Sequence, residues 1–135
     1  MEDKDALIDF YGYQSEIWGR GYQMMGQLLD RNFVAHKVEK WNITNVYIYG
    51  GGYLGIQLYR AITPFSNVLS IVDKNGKLKV EIKDIPVMNL DIFRQYYKDE
   101  PVIITPLQYY KEICNELQDV VSMGKIIFLE EFGRK

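Results

Sequence analysis

With 135 residues, the chain has room for one domain with a substantial core, but not for a dinucleotide-binding domain joined to a separate substrate domain. Its 16 basic and 18 acidic residues are interspersed and leave a formal net charge of −2, so it lacks the basic stripe that nucleic acid requires. The single cysteine, Cys114, excludes an internal disulfide and a cysteine metal cluster, and suits a reducing compartment.

The start, Met1-Glu2-Asp3-Lys4-Asp5, is acidic, and no apolar run approaches the length of about 18 residues that a membrane span needs. Neither a signal peptide nor a membrane partner is expected, and the cytoplasm is the expected compartment. Residues 1–41 read as an amino-terminal helical extension and residues 42–135 as the main domain. Trp18, Tyr22, Met25, Leu29 and Phe33 recur at spacings of three and four, with Ile17, Met24 and Leu28 widening the stripe. That pattern predicts an amphipathic helix over about 15–40. Its apolar face has to be covered by its own domain, by a second copy in a homodimer, or by an upstream or downstream catalytic domain. His36, the only histidine, has no cluster of metal-ligating residues near it in the sequence and reads as a surface or helix-packing residue.

From Asn42 onward, strand and helix patterns alternate, which is the signature of a parallel sheet with helical crossovers. A first strand is placed at 45–50, a helix at 53–63 before Pro64, and a second strand at 67–73. Asn75-Gly76 marks a turn. Leu78, Val80 and Ile82 then alternate with charged residues, so a short extended excursion is expected where a crossover helix would otherwise stand. Ile85-Pro86-Val87-Met88 reads as a short edge strand, followed by a helix capped by Asn89 with Leu90, Phe93 and Tyr97 on one side. Val102-Ile103-Ile104 is a buried strand. Thr105 and Gln108 fit a capping box with Pro106 at the first helical position, and Ile113, Leu117 and Val121 give the inward face. Lys125 to Leu129 closes the sheet. Right-handed crossovers then predict an α/β fold with a Rossmann-like parallel five-stranded sheet in the order 3-2-1-4-5, helices on both faces, and a ligand crevice at the carboxyl ends of strands 1 and 4.

The chemistry is concentrated at the first strand-to-helix corner, Val46-Tyr47-Ile48-Tyr49-Gly50-Gly51-Gly52-Tyr53-Leu54-Gly55. Gly50, Gly52 and Gly55 satisfy G-x-G-x-x-G, which supplies a tight turn, an open backbone for a pyrophosphate, and close helix–strand packing. The helix that follows aims free N–H groups at an anion. Eighteen residues beyond Gly55, Val68-Leu69-Ser70-Ile71-Val72 ends at Asp73, where an acid can accept hydrogen bonds from ribose hydroxyls. Gly50, Gly52, Tyr53, Leu54, Gly55, Asp73, Thr105 and Pro106 all fall on one rim of the expected sheet and form the candidate cofactor site. Asp73 has a second reading as a turn-forming residue before Asn75-Gly76, and Thr105 as a helix cap. No Tyr-x-x-x-Lys pair, P-loop or G-x-S-x-G is present. Tyr49 stands where methyltransferase glycine loops usually carry an acid.

The chain resembles the small Rossmann-like domains of bacterial surface-polysaccharide and sugar-nucleotide pathways. These are the domain preceding the dehydratase unit of polysaccharide-biosynthesis proteins, the nucleotide-sugar-binding domain of sugar acyltransferases, and the carboxyl-terminal domain of sugar C-methyltransferases. The resemblance rests on Tyr47 to Gly55, Ile71-Val72-Asp73, Ile85-Pro86-Val87 and Val102-Ile103-Ile104-Thr105-Pro106, within residues 43–130. It implies that the glycine loop holds the phosphates of NAD, NADP or a nucleotide sugar and that Asp73 contacts its ribose or base. Asp84 replaces the glycine often found before Ile-Pro-Val, and Tyr53 replaces the histidine of acyltransferase members. The expected function is a module binding a small-molecule nucleotide. The alternatives are a minimal oxidoreductase or epimerase completed by dimerisation, and an interaction domain with a vestigial crevice.

Overall fold

A computed structural model describes residues 26–106 and 108–133. The chain folds as a five-stranded, all-parallel sheet in the order β3-β2-β1-β4-β5, the order predicted. In chain order the elements are α1 (Arg31–Lys40), β1 (Asn45–Tyr49), α2 (Tyr53–Ile62), β2 (Asn67–Val72), β3 (Val87–Met88), α3 (Leu90–Tyr96), β4 (Val102–Ile104), α4 (Tyr110–Leu117), a 3-10 turn (Met123–Lys125), β5 (Ile126–Phe128) and α5 (Leu129–Gly133). Among the described residues, no helix is long and apolar enough to cross a membrane.

The central strands β1, from Val46 onward, and β4 are runs of buried residues on both faces, as parallel strands covered by helices must be. Alternation along β1 divides its side chains between the two faces. The Tyr47 ring meets Phe93 and Tyr97 at 4.9 and 6.1 Å between centroids, and the Tyr49 hydroxyl meets Glu116, so α3 and α4 lie on one side. Val46 and Ile48 point to the other side, where the right-handed β1-α2-β2 crossover places α2. Edge-to-face contact between Tyr47 and Phe93 and stacking of Tyr110 on Phe128 at 4.1 Å fill the α3/α4 layer.

The amino-terminal stripe departs from its prediction. Ile17, Trp18, Tyr22, Met24 and Met25 lie outside the described residues. Within them, the helix is interrupted at Leu29–Asp30, because the Asp30 carboxylate accepts from the Asn32 and Phe33 N–H groups and starts a new helix, α1. Leu29 is left 75% exposed, while Leu28, Val34 and Val38 join the core of the sheet. His36 is exposed on α1.

The excursion between β2 and β3 stands in place of a crossover helix, as expected, with Leu78 and Ile82 against the core. Val80, which the alternation puts on the same side, points outward. Two other elements differ from expectation. The last strand ends at Phe128, and Leu129 begins α5. The helix after β4 begins at Tyr110, so Thr105 and Gln108 do not form a capping box and Pro106 is not its first residue.

Candidate functional site

The glycine corner is built where expected, at the carboxyl end of β1 between β2 and β4. Gly50 carries a φ of +121°, a region that side chains disfavour, and a Cβ there would collide with the Thr105 hydroxyl and the Pro106 ring. Gly55 is required by proximity, since a Cβ would run into the Gly50 carbonyl. Gly52 differs from both. It is the N-cap of α2, and a Cβ would meet no heavy atom within 4 Å, so the space above its backbone is open. These are three distinct roles, and they match those that the G-x-G-x-x-G pattern assigns.

The helix behind the corner has ten residues, no side-chain hydrogen bond at its cap and no acid in its first turn. Its amino-terminal dipole is therefore not offset by the chain's own carboxylates within that turn. Tyr53 opens α2 and is 56% exposed, and the Lys79 ammonium stands 5.4 Å from its ring centroid. Leu54 is partly buried against the core and holds α2 to the sheet.

Asp73 follows β2 as predicted, and its carboxylate is engaged by its own chain. Oδ2 accepts from the Asn75 N–H at 3.0 Å, while Oδ1 accepts from the Gly51 N–H at 3.4 Å. The turn reading is thus realised in the structure, together with a link to the glycine loop that the sequence did not disclose. Thr105 is 2% exposed, and its hydroxyl donates to the Tyr49 carbonyl at 2.9 Å, so it ties β4 to β1 rather than capping a helix. Pro106 abuts Gly50. All eight predicted residues gather at the carboxyl rim of the sheet. Gly52, Tyr53 and Asp73 keep some exposure there, whereas Gly50, Gly55 and Thr105 are buried and shape the corner.

Sequence reasoning missed Gly51, Lys79 and Glu116. Gly51 is buried under residues 77–79, and its carbonyl accepts from the Lys79 N–H at 2.7 Å. Three consecutive glycines were the available signal for Gly51; nothing local marked Lys79. Glu116 accepts from the Tyr49 hydroxyl at 2.9 Å, and its other oxygen lies 3.5 Å from the Lys74 ammonium. Burial, followed by the hydrogen bond to and the charge of Glu116, pushes the Tyr49 phenol far above its ordinary range. That phenol is a hydrogen-bond donor and is not poised as a base.

A groove of about 690 Å³ lies elsewhere, at the amino-terminal ends of β1 and β2, bordered by Val38, Ile43, Thr44, Pro64, Phe65 and Asn67. Ligands of open parallel sheets sit beyond the carboxyl ends of the strands, so the groove lies on the wrong side for the glycine corner. In comparisons with known proteins, the chain matches no family model, no curated protein and no solved structure.

Proposed function

We propose that the protein is a nucleotide-binding module whose glycine corner takes the phosphates of NAD, NADP or a nucleotide sugar. One observation carries this reading: Gly50, Gly52 and Gly55 each have the steric role that phosphate recognition by such a corner needs, at the amino terminus of a helix without a side-chain cap. The exposed Tyr53 side chain at the start of the helix offers a stacking surface. NAD is favoured over NADP, because the Asp73 carboxylate at the tip of β2 repels a ribose phosphate and the neighbouring Lys74 is turned toward Glu116. Association with sugar-nucleotide or surface-polysaccharide chemistry rests on the motif resemblance.

The test is thermal shift against NAD, NADH, NADP, UDP-glucose and other nucleotide sugars, with Gly52→Val as the blocking variant. The Gly52 backbone is extended and its Cβ direction empty, so valine fits the folded chain but fills the approach to the loop. A ligand at 100 times its Kd stabilises by about 2.7 kcal/mol. The reading expects one nucleotide to raise the melting midpoint of the wild type and not that of Gly52→Val. A second reading, a corner that keeps its geometry without a ligand, is favoured by the chain's own contacts at Gly51; it predicts no shift with any nucleotide.

A further inference from the structure

Gly51 occupies a variable position of G-x-G-x-x-G, so the motif gives no reason for a glycine there. Nor does its backbone, since the positive-φ glycines among the described residues are Gly50 and Gly76. The reason is space: a Cβ on Gly51 would stand 2.6 Å from the Lys77 carbonyl oxygen and 3.2 Å from Asp73 Oδ1. The same segment uses both polar groups of the Gly51 backbone. Asp73 Oδ1 accepts from its N–H at 3.4 Å, and the Lys79 N–H donates to its carbonyl at 2.7 Å.

We propose that residues 74–79 form a strap, hinged at Asp73 whose N–H is held by the Met88 carbonyl at 3.0 Å, that closes on Gly51 and has to lift before a nucleotide phosphate reaches that part of the loop. The proposal rests on the nucleotide-binding reading. In the closed state the Asp73 carboxylate stands on a glycine-loop amide as a phosphate oxygen would, through a long hydrogen bond that exchanges readily. The turn at the base of the strap is locally closed by Asp73 Oδ2 with the Asn75 N–H at 3.0 Å and by the Gly76 N–H with the Asp73 carbonyl at 2.9 Å, so the hinge stays formed while residues 77–79 swing. Gly76, at φ +71°, lets the chain reverse there. Leu78 is only partly buried, so lifting withdraws a single half-covered apolar side chain. The strap acts as an internal competitor: the apparent affinity is the intrinsic affinity scaled by the fraction of molecules in which it is open.

Titration calorimetry of the full chain with NAD, NADP and UDP-glucose tests this, using the wild type, Gly51→Ala and Lys79→Pro. Gly51→Ala pushes the strap off by its Cβ, and Lys79→Pro removes the donor to the Gly51 carbonyl. Both folded variants are expected to bind the nucleotide that the wild type binds, tighter by about threefold to tenfold, the weight of one net hydrogen bond. Saturating the wild type with that nucleotide is expected to speed hydrogen exchange at the Lys79 amide, which a purely structural loop would not show. Equal or weaker binding by the folded variants, or greater protection of Lys79 on binding, overturns the strap while leaving the nucleotide reading intact. Absence of binding by the wild type and both variants overturns both. If neither variant folds, Lys79 exchange in the wild type decides.

Discussion

The Thr105 hydroxyl donates to the carbonyl oxygen of Tyr49 at 2.9 Å, and the Thr105 N–H donates to the same oxygen at 3.0 Å, so one acceptor closes the rim between β4 and β1 twice. Replacing Thr105 with valine removes one of those bonds and leaves the other. A loss of about 1 kcal/mol, within roughly 0.5–2, is expected in urea unfolding. A neutral result would show that the hydroxyl contributes only by filling space beside Gly50.

The two outer glycines of the corner and the central one should respond differently to alanine. At Gly55 the added Cβ meets the Gly50 backbone, which cannot move without shifting β1 or α2, so a loss of about 3 kcal/mol or more is expected. At Gly50 the positive φ adds to the collision with Thr105 and Pro106, with the same result. At Gly52 the expected loss is below about 1 kcal/mol, the difference between glycine and alanine at a helix cap. Comparable losses at all three would mean that Gly52 is held as tightly as its neighbours.

Asn89 caps α3 through its side-chain oxygen, which accepts from the Ile92 N–H at 2.9 Å. Asn89→Ala should cost about 1 kcal/mol, whereas Asn89→Asp should be close to neutral. Urea midpoints of the three proteins give the answer directly.

Stability should decline in alkali. Burial raises the Tyr97 phenol to about 12, helped by the Asp99 and Glu100 carboxylates, from an ordinary value of 10.0. Tyr49 is raised further, by burial and then by Glu116. Because each pKa is higher in the folded state, the phenols of the unfolded chain lose their protons first. The stabilisation is complete below about pH 10 and is lost as pH climbs toward the folded values. Melting midpoints measured at about pH 9 and about pH 11 should fall for the wild type and fall less for Tyr97→Phe. An equal fall for both would exclude Tyr97 as a source.

Much of the fold was legible because its signals are local. Val102-Ile103-Ile104 is apolar at every position, as a strand covered on both faces must be, and Asn89 stands immediately before its helix. The strand order followed from handedness once the alternation was recognised. What escaped depends on partners distant in sequence. Thr105 looked like a cap because a serine or threonine followed three residues later by glutamine usually is one; 56 residues away, the Tyr49 carbonyl satisfied its hydroxyl instead. The alternation at Leu78, Val80 and Ile82 marked an extended excursion and put all three on one side, but could not reveal the bend at 79–80 that turns Val80 outward. The Asp30 cap was missed, because the apolar stripe runs on through Leu29 and Phe33 as if the helix were continuous. At the site, the motif residues were found and their covering was not, since the contacts of Gly51 with Asp73, Lys77 and Lys79 join two loops more than twenty residues apart.

The short outer strands limit how copies of this protein can associate. β3 contributes only two residues and follows Pro86, which has no N–H to offer; β5 contributes three and passes directly into α5. Neither border is a long enough row of unpaired backbone groups to template another chain, so the sheet is not built to be continued from molecule to molecule. Among the described residues, contacts between copies fall to side chains on helices and loops, where charge and shape select the partner.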